Sequence, residues 1–303
     1  MAKKEDLVDY LIQHDVLPSE INCEQRGEKL IINKETLLFR CRKTVPIASS
    51  QKKKRVSKQC DYKKSAKVGT WFGNSNLELA TICKIIASFL MLRPPRQEDL
   101  EEELGISSST VVDWFSFCRE VCAYWSDKCS AKLGGPGRTV EIDEAKIGHR
   151  KYNRGRLLKG NWIFGGFERE SKKIFIVPVE DRTEETLLAC IKEWIMPGTT
   201  IVSDCWKSYN CLNSEGFQHL TVNHTYNFVD PDTGAHTQHI ERVWREVRAN
   251  IPKYGTRSYH VEGYLFKFLF KHAHPRAERL DNFFGVIAQM YPPLSTVEAE
   301  QSQ

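Results

Sequence analysis

Three carboxylates fall within four positions of "VEIDEAKIG", residues 140–148: Glu141, Asp143 and Glu144. Val140 and Ile142 mark the stretch as a strand, so Glu141 and Asp143 share one face and Glu144 returns to the apolar side at the strand's end. Periodicity leaves Glu141 and Asp143 as the two candidates for chemistry. A second strand, "TTIVSDCWKSY", runs through Ile201 and Val202 to Asp204 at its carboxyl end. Alone, such an Asp is most often a cap or turn former. The third acid is Glu241 in "HTQHIERVWREVR", beside a helical stripe of Ile240, Val243, Trp244 and Val247. Alone it reads as a solvated surface residue. Together these acids suit phosphoryl transfer with two divalent ions, which needs carboxylates converging from different elements to hold the ions about 4 Å apart. Hard ions such as Mg²⁺ take carboxylate oxygens and water, so His or Cys ligands are not required. No Ser/His/Asp arrangement or glycine-rich phosphate loop competes, and "GGPG" at 134–137 has no Lys-Ser/Thr after it.

The elements that must position these acids follow a legible order. "TVEIDEA", "NWIFGGFE" and "KIFIVPVE" alternate as strands, the last two joined by the polar turn "RESKK", which predicts an antiparallel meander. A helix follows in "TEETLLACIKEWI", with Thr183 as N-cap and acids in its first turn. Then come the strand "TTIVSD", an irregular Trp/Tyr segment, the strand "FQHLTV", a long loop, and an amphipathic series from about 237 to 285. Three strands, helix, strand, loop, strand and closing helix is the order of an RNase H-like mixed α/β sheet. Fold alone does not establish function.

Upstream, "NLELATICKIIASFLML" repeats Leu79, Ile82, Ile86 and Phe89 at helical spacing until Pro94 and Pro95. "QEDLEEELGISSSTVVDWFSFCREVCAYW" carries two helical patterns broken at Gly105. Three domains are expected: 1–70, a small module with a basic linker; 71–131, a helical region; and 138–290, the sheet domain. The 303 residues, 41% hydrophobic and 27% charged with net charge +5, suit a globular chain with local rather than global basicity. No signal peptide or membrane span is expected, so the protein is placed inside the cell. Its ten cysteines are then thiols or metal ligands before disulfides. The run "KKKR" at 52–55 has the form of a nuclear localisation signal.

The stretch 139–275 resembles the catalytic domain of DDE transposases of the Merlin superfamily and their ISXO-type insertion-sequence relatives. The residues that carry the resemblance are "VEIDEAKIGHRKYNRGR", "GNWIFGGFER", "TIVSDCWKSY", "VNHTYNFVDPDTGAHTQHIERVWREVR" and "IPKYGT". Their order follows the family, as do the 36 residues between positions 204 and 241. The resemblance implies that Asp143, Asp204 and Glu241 are the catalytic, metal-binding triad for Mg²⁺ or Mn²⁺. It also implies the chemistry: strand nicking by an activated water at a transposon end, then attack of the freed 3′-hydroxyl on target DNA. Glu144 is left to cap the strand or meet a basic neighbour.

Around the triad, Arg150, Lys151, Arg154, Arg156 and Lys159 are expected to contact backbone phosphate, which neutralises charge without reading sequence. Trp206 and Tyr209 read as core before they read as base-stacking residues. His224, His236 and His239 gather before Glu241, their roles open, and no cysteine partner has zinc-site spacing. Residues 97–116 fit a helix-turn-helix with Leu100, Leu104, Ile106, Val111 and Trp114 inward, and with Ser108 and Ser109 on the DNA-facing side. Glu101 stands where a small residue is usual. Cys23, Cys41 and Cys60 resemble the family's zinc ribbon, but Arg26 stands where the partner of Cys23 belongs, so the ribbon reads as degenerate and zinc is not expected. The resulting expectation is a nuclear DDE transposase acting on double-stranded DNA, both transposon ends and target, as a dimer or larger homo-oligomer. Its rivals are a domesticated, non-catalytic DNA-binding or chromatin protein and an RNase H-like nuclease without strand transfer.

Overall fold

The computed structural model describes residues 4–47, 56–93, 97–147, 161–226, 228–252 and 260–293. Contacts divide the chain into two compact units, one of residues 1–90, 100–114 and 277–303, the other of residues 91–99 and 115–276.

The first unit opens with α1 (Lys4–Gln13), whose Val8 and Leu11 are buried. Three short antiparallel ladders follow: β1 (Glu20–Asn22) with β2 (Lys29–Ile31), β3 (Leu38–Arg40) with β6 (Lys63–Ser65), and β4 (Thr44–Ile47) with β5 (Val56–Gln59). The first turn is closed by the amides of Arg26 and Gly27 donating to the carbonyl of Cys23, with Gly27 at φ +66°. A positive φ is strained for any residue with a Cβ, hence glycine. Val8, Ile21, Leu30, Ile32, Phe39 and Ala66 pack around three buried cysteines, Cys23, Cys41 and Cys60.

α2 (Leu79–Met91) buries Leu79, Ile82, Ile85, Ile86, Phe89 and Leu90, the face its periodicity specified. α3 (Gln97–Leu104) and α4 (Ser108–Cys129) are separated at Gly105, φ +64°. Leu100, Val111 and Trp114 are buried, whereas Leu104 and Ile106 stay partly exposed. α4 runs 22 residues.

The second unit is a mixed α/β layer. A two-residue strand β7 (Leu133–Gly134) precedes β8 (Thr139–Ile147), β9 (Asn161–Glu168) and β10 (Ile174–Val179). These last three form the antiparallel meander read from sequence. α5 (Glu184–Trp194) starts at Thr183, whose hydroxyl accepts from the Thr186 amide. It leads into β11 (Ile195–Met196), which pairs in parallel with β7, an element periodicity did not reveal because two residues have no period. β12 (Thr200–Asp204) and β13 (Gln218–Val222) complete a five-stranded sheet of order β10-β9-β8-β12-β13, β12 being parallel to both neighbours. This order is consistent with an RNase H-like domain. β8 extends past Glu144 to Ile147 because β9 pairs with it as far as Asn161, so Glu144 lies inside the strand rather than at its end.

Alternation gives the sheet two apolar faces. Val140, Ile142, Phe164, Phe175 and Ile201 pack with Leu187 and Ile191 of α5 and with Tyr209, Leu212 and Phe217. Ala145, Ile147, Ile163, Phe167 and Ile176 pack on the other side against α6 (Gln238–Asn250) and α7 (Val261–Ala273) through Ile240, Val243, Trp244, Val247, Leu265 and Phe268. Each side chain fully buried in this way contributes about 1.5–3 kcal/mol. α8 (Arg279–Met290) belongs to the first unit, where Tyr10 of α1 donates to Asp281 and its ring meets Phe284. Among the described residues no helix is long and apolar enough to cross a membrane.

Candidate active site at the carboxyl ends of β8 and β12

β8 and β12 are parallel neighbours with Val202 opposite Glu141. Two residues further along each strand stand Asp204 and Asp143, on the face covered by α6. The indole Nε1 of Trp244 on α6 donates to Asp143 Oδ2 at 2.9 Å. That approach requires Gly165, the β9 residue opposite Asp143: a Cβ there would lie 2.6 Å from the Trp244 ring and 2.8 Å from the Phe175 carbonyl oxygen. The Asp204 carboxylate accepts from the Trp206 amide at 3.0 Å, the turn-forming bond expected of an Asp after a strand.

Burial first, and then the negative charges of Glu144 and Asp204, push the Asp143 carboxyl up to about 7, against the opposing pull of the Trp244 hydrogen bond. Glu144 points to the opposite face, where its Oε1 accepts from the Tyr209 hydroxyl at 2.6 Å. Its carboxyl is also raised, mainly by burial, while Tyr209 and Arg182 act against the rise. Tyr209 is fully buried, as expected of a core aromatic, and its hydroxyl titrates well above the ordinary value because of that burial and the neighbouring acid. A crowd of desolvated carboxyl oxygens is the environment a hard divalent cation stabilises.

Glu241 occupies the first turn of α6, one turn before Trp244 and on the flank of the apolar stripe. Its Oε1 accepts from Thr237 Oγ1 at 3.1 Å and lies 3.4 Å from His224 Nε2, which is itself 2.7 Å from that hydroxyl. Among the described residues, no three of Asp143, Glu144, Asp204 and Glu241 bring their oxygens within 4.8 Å of one another. Asp143 and Asp204 are thus strand neighbours, while Glu241 is held by its own loop.

Two sets of three do meet at that spacing: Cys23, Cys41 and Cys60, and Glu141, His236 and His239. The family resemblance had already grouped the three cysteines, although they lie 18 or more positions apart; each directly follows a strand of a different ladder, and the fold brings their sulfurs together. Cys23 Sγ and Cys60 Sγ are 3.8 Å apart, with Gln25 Oε1 3.3 Å from the latter. In the second set, Glu141 has a position that sequence reasoning missed. Fully buried, it receives Arg169 Nε at 2.8 Å and His239 Nδ1 at 2.7 Å on one oxygen, and the amides of His239 (2.9 Å) and Ile240 (3.2 Å) on the other. Its one sequence signal was its place on the same strand face as Asp143. His239 stacks on Phe167 at 5.0 Å and 4°. The His236 ring is held below its ordinary pKa by burial first and then by the Arg169 charge.

Trp206 is 38% exposed, and the Arg182 guanidinium lies 4.4 Å from its ring centroid and 4.1 Å from that of Trp162. Tyr226 and Phe228, on the loop before α6, are exposed to 80% and 77%. Cys205 donates to the Val222 carbonyl at 3.6 Å. Ser108 and Ser109 are exposed in the first turn of α4, where Ser107 accepts from the Thr110 amide. Arg150, Lys151, Arg154, Arg156, Lys159 and the run at 52–55 lie outside the described residues.

Residues 132–272 match the family described as the ISXO2-like transposase domain. An uncharacterized transposase-like protein of Haemophilus influenzae is 28% identical over 94 residues, which cover 31% of this chain and 75% of that protein. A cryo-EM structure of a simian T-cell lymphotropic virus intasome in complex with PP2A regulatory subunit B56 gamma aligns at 14% identity and a TM-score of 0.30. That alignment covers 60% of this chain and 66% of the other, just under two thirds. The motif-bearing strands β8, β9 and β12 and helix α6 all fall inside the matched segment: residues 132–272 of this chain are an ISXO2-like transposase domain.

Proposed function

We propose that this protein is a DDE transposase of the Merlin type that binds double-stranded DNA and carries out metal-dependent nicking and strand transfer, with Asp143, Asp204 and Glu241 as the metal ligands. The observation that carries the reading is the pair Asp143 and Asp204 on adjoining parallel strands, with Asp143 raised to about 7 by burial and by its acid neighbours. The donor set is hard oxygen, which fits Mg²⁺ or Mn²⁺. Bound there, the ions would activate water and stabilise the leaving oxygen. The chain's own residues supply the rest. Trp244 fixes the Asp143 carboxylate, Thr237 and His224 orient Glu241, and Asp143 must give up its proton before it can ligate. Arg150, Lys151, Arg154, Arg156 and Lys159 would neutralise backbone phosphates beside the acids.

The same reading assigns 97–116 as a helix-turn-helix with Ser108 and Ser109 toward DNA, a homo-oligomer that synapses two ends, and nuclear residence. The first 70 residues are read as a zinc ribbon that has lost its fourth ligand, since three thiols meet and Arg26 stands in the fourth place. That loss favours, as a second reading, a domesticated DNA-binding protein. The deciding assay is nicking and joining of DNA that carries the flanking terminal repeats, with Mg²⁺ and with EDTA. Mg²⁺-dependent joined products, lost in Asp204→Ala, are expected. Binding without cleavage would favour the domesticated protein, and cleavage without joining a nuclease.

A further inference from the structure

Resting on that reading of Asp143 and Glu241, we infer that Glu141, clasped by Arg169, is a positioning residue that sets the place of the helix bearing Glu241 against the strand bearing Asp143. A buried carboxylate is costly unless it is paired and hydrogen-bonded, and Glu141 is both. One oxygen takes Arg169 Nε and His239 Nδ1; the other takes the amides of His239 and Ile240, donors that the first turn of a helix leaves without an intrahelical partner. A carboxylate at this end also meets the positive end of the helix dipole. Arg169 completes the grip: its Nη2 donates to the His236 carbonyl at 2.7 Å, and its own amide donates to the Thr139 carbonyl of β8 at 3.0 Å.

The clasp holds residues 236–240 from both their donor and acceptor sides and ties them to β8. Its geometry links the two candidate ligands. Glu141 lies two residues before Asp143 on the same strand face, roughly 7 Å along β8. The amides it holds lie one and two positions before Glu241. A cation held by Glu141, His236 and His239 is the competing reading, and the guanidinium on the same carboxylate, together with the helix end, opposes it. Gln at 141 keeps the shape but has one oxygen for four donors and no charge for Arg169.

The test uses the full chain with Glu141→Gln and Arg169→Lys. Three quantities are measured: amide hydrogen exchange, Mn²⁺ affinity by electron paramagnetic resonance, and DNA affinity by fluorescence anisotropy. In Glu141→Gln, exchange at His239 and Ile240 should rise and Mn²⁺ affinity fall, each about tenfold or more, as is usual when a group orienting a ligand is removed. Exchange in β9, β10 and α5, and DNA affinity, should hold. Unchanged local exchange and Mn²⁺ affinity would overturn the inference, and so would loosening spread evenly over the sheet and α5. If Glu141→Gln does not fold, Arg169→Lys is expected to give the same localised pattern at smaller size, and its absence overturns the inference equally. A wild-type chain that binds no Mn²⁺ defeats the proposed function instead, while the exchange at His239 and Ile240 still reports the clasp.

Discussion

Asp143→Asn should make the metal-free protein more stable. Asp143 ionises near 3.8 when solvated and near 7 in the fold, so at pH 8 the folded chain carries a carboxylate it would hold more cheaply as a neutral group. That difference corresponds to roughly 4 kcal/mol, and residual solvent access at the strand end trims it to about 2 kcal/mol. The sign follows from proton binding: between the two values the folded state holds more protons than the unfolded one, so the site's contribution to stability is full below pH 4 and is lost as pH rises through 7. Asn removes the charge and keeps an acceptor for Trp244 Nε1. Thermal unfolding in EDTA should therefore show the variant about 5 °C above wild type at pH 8 and level with it near pH 4. Adding Mn²⁺ should reverse the order, because wild type gains about 1.4 kcal/mol for each tenfold of ion above its dissociation constant and the variant gains little. A functional site that costs stability is a common compromise. A variant less stable than wild type at pH 8 in EDTA, or equally stabilised by Mn²⁺, would refute the reasoning.

Gly165→Ala should push Trp244 off the sheet, costing about 1–3 kcal/mol in urea unfolding and weakening Mn²⁺ binding through Asp143; wild-type values for both would show that the ring can move aside freely. Glu168 is buried, and although burial raises its carboxyl, the Gly134 amide and Arg138 outweigh that and hold it below the ordinary value. Its contribution to stability is present above the unfolded-state value and lost as pH falls, so Glu168→Gln should cost about 3 kcal/mol at pH 7 and progressively less in acid, as measured by denaturant titration at several pH values. Replacing Arg154, Arg156 and Lys159 together by Ala should reduce the slope of log DNA affinity against log salt by about 2–3, with little change in sequence preference; an unchanged slope would remove these side chains from the interface.

How much was legible depended on distance along the chain. The period-two alternation of "VEIDEAKI" was enough to put Glu141 with Asp143 and Glu144 on the other face, and the structure keeps that division. The meander, the Thr183 cap, the α2 face and the stripe of α6 are likewise consequences of spacing within one element. Asp204 at a strand's carboxyl end was readable for the same reason.

Which carboxylates become neighbours was not readable from periodicity, and only the family resemblance had grouped Asp143 with Asp204, because strand pairing between residues 61 positions apart is fixed by how two apolar faces are covered. Only the parallel pairing of β8 with β12 brings Asp143 beside Asp204. Only the fold carries Glu144 to Tyr209, 65 positions away, and Glu141 to the start of α6, 98 positions away. Cys23, Cys41 and Cys60 lack close sequence partners and were grouped by the family resemblance alone; the fold is what brings them into one small core. Sequence by itself determined the main strands and helices of the sheet domain and the faces on which their acids stand. Tertiary structure decided which acid is crowded, which is clasped and which is left to its own loop, since charge and burial act through space and not along the chain.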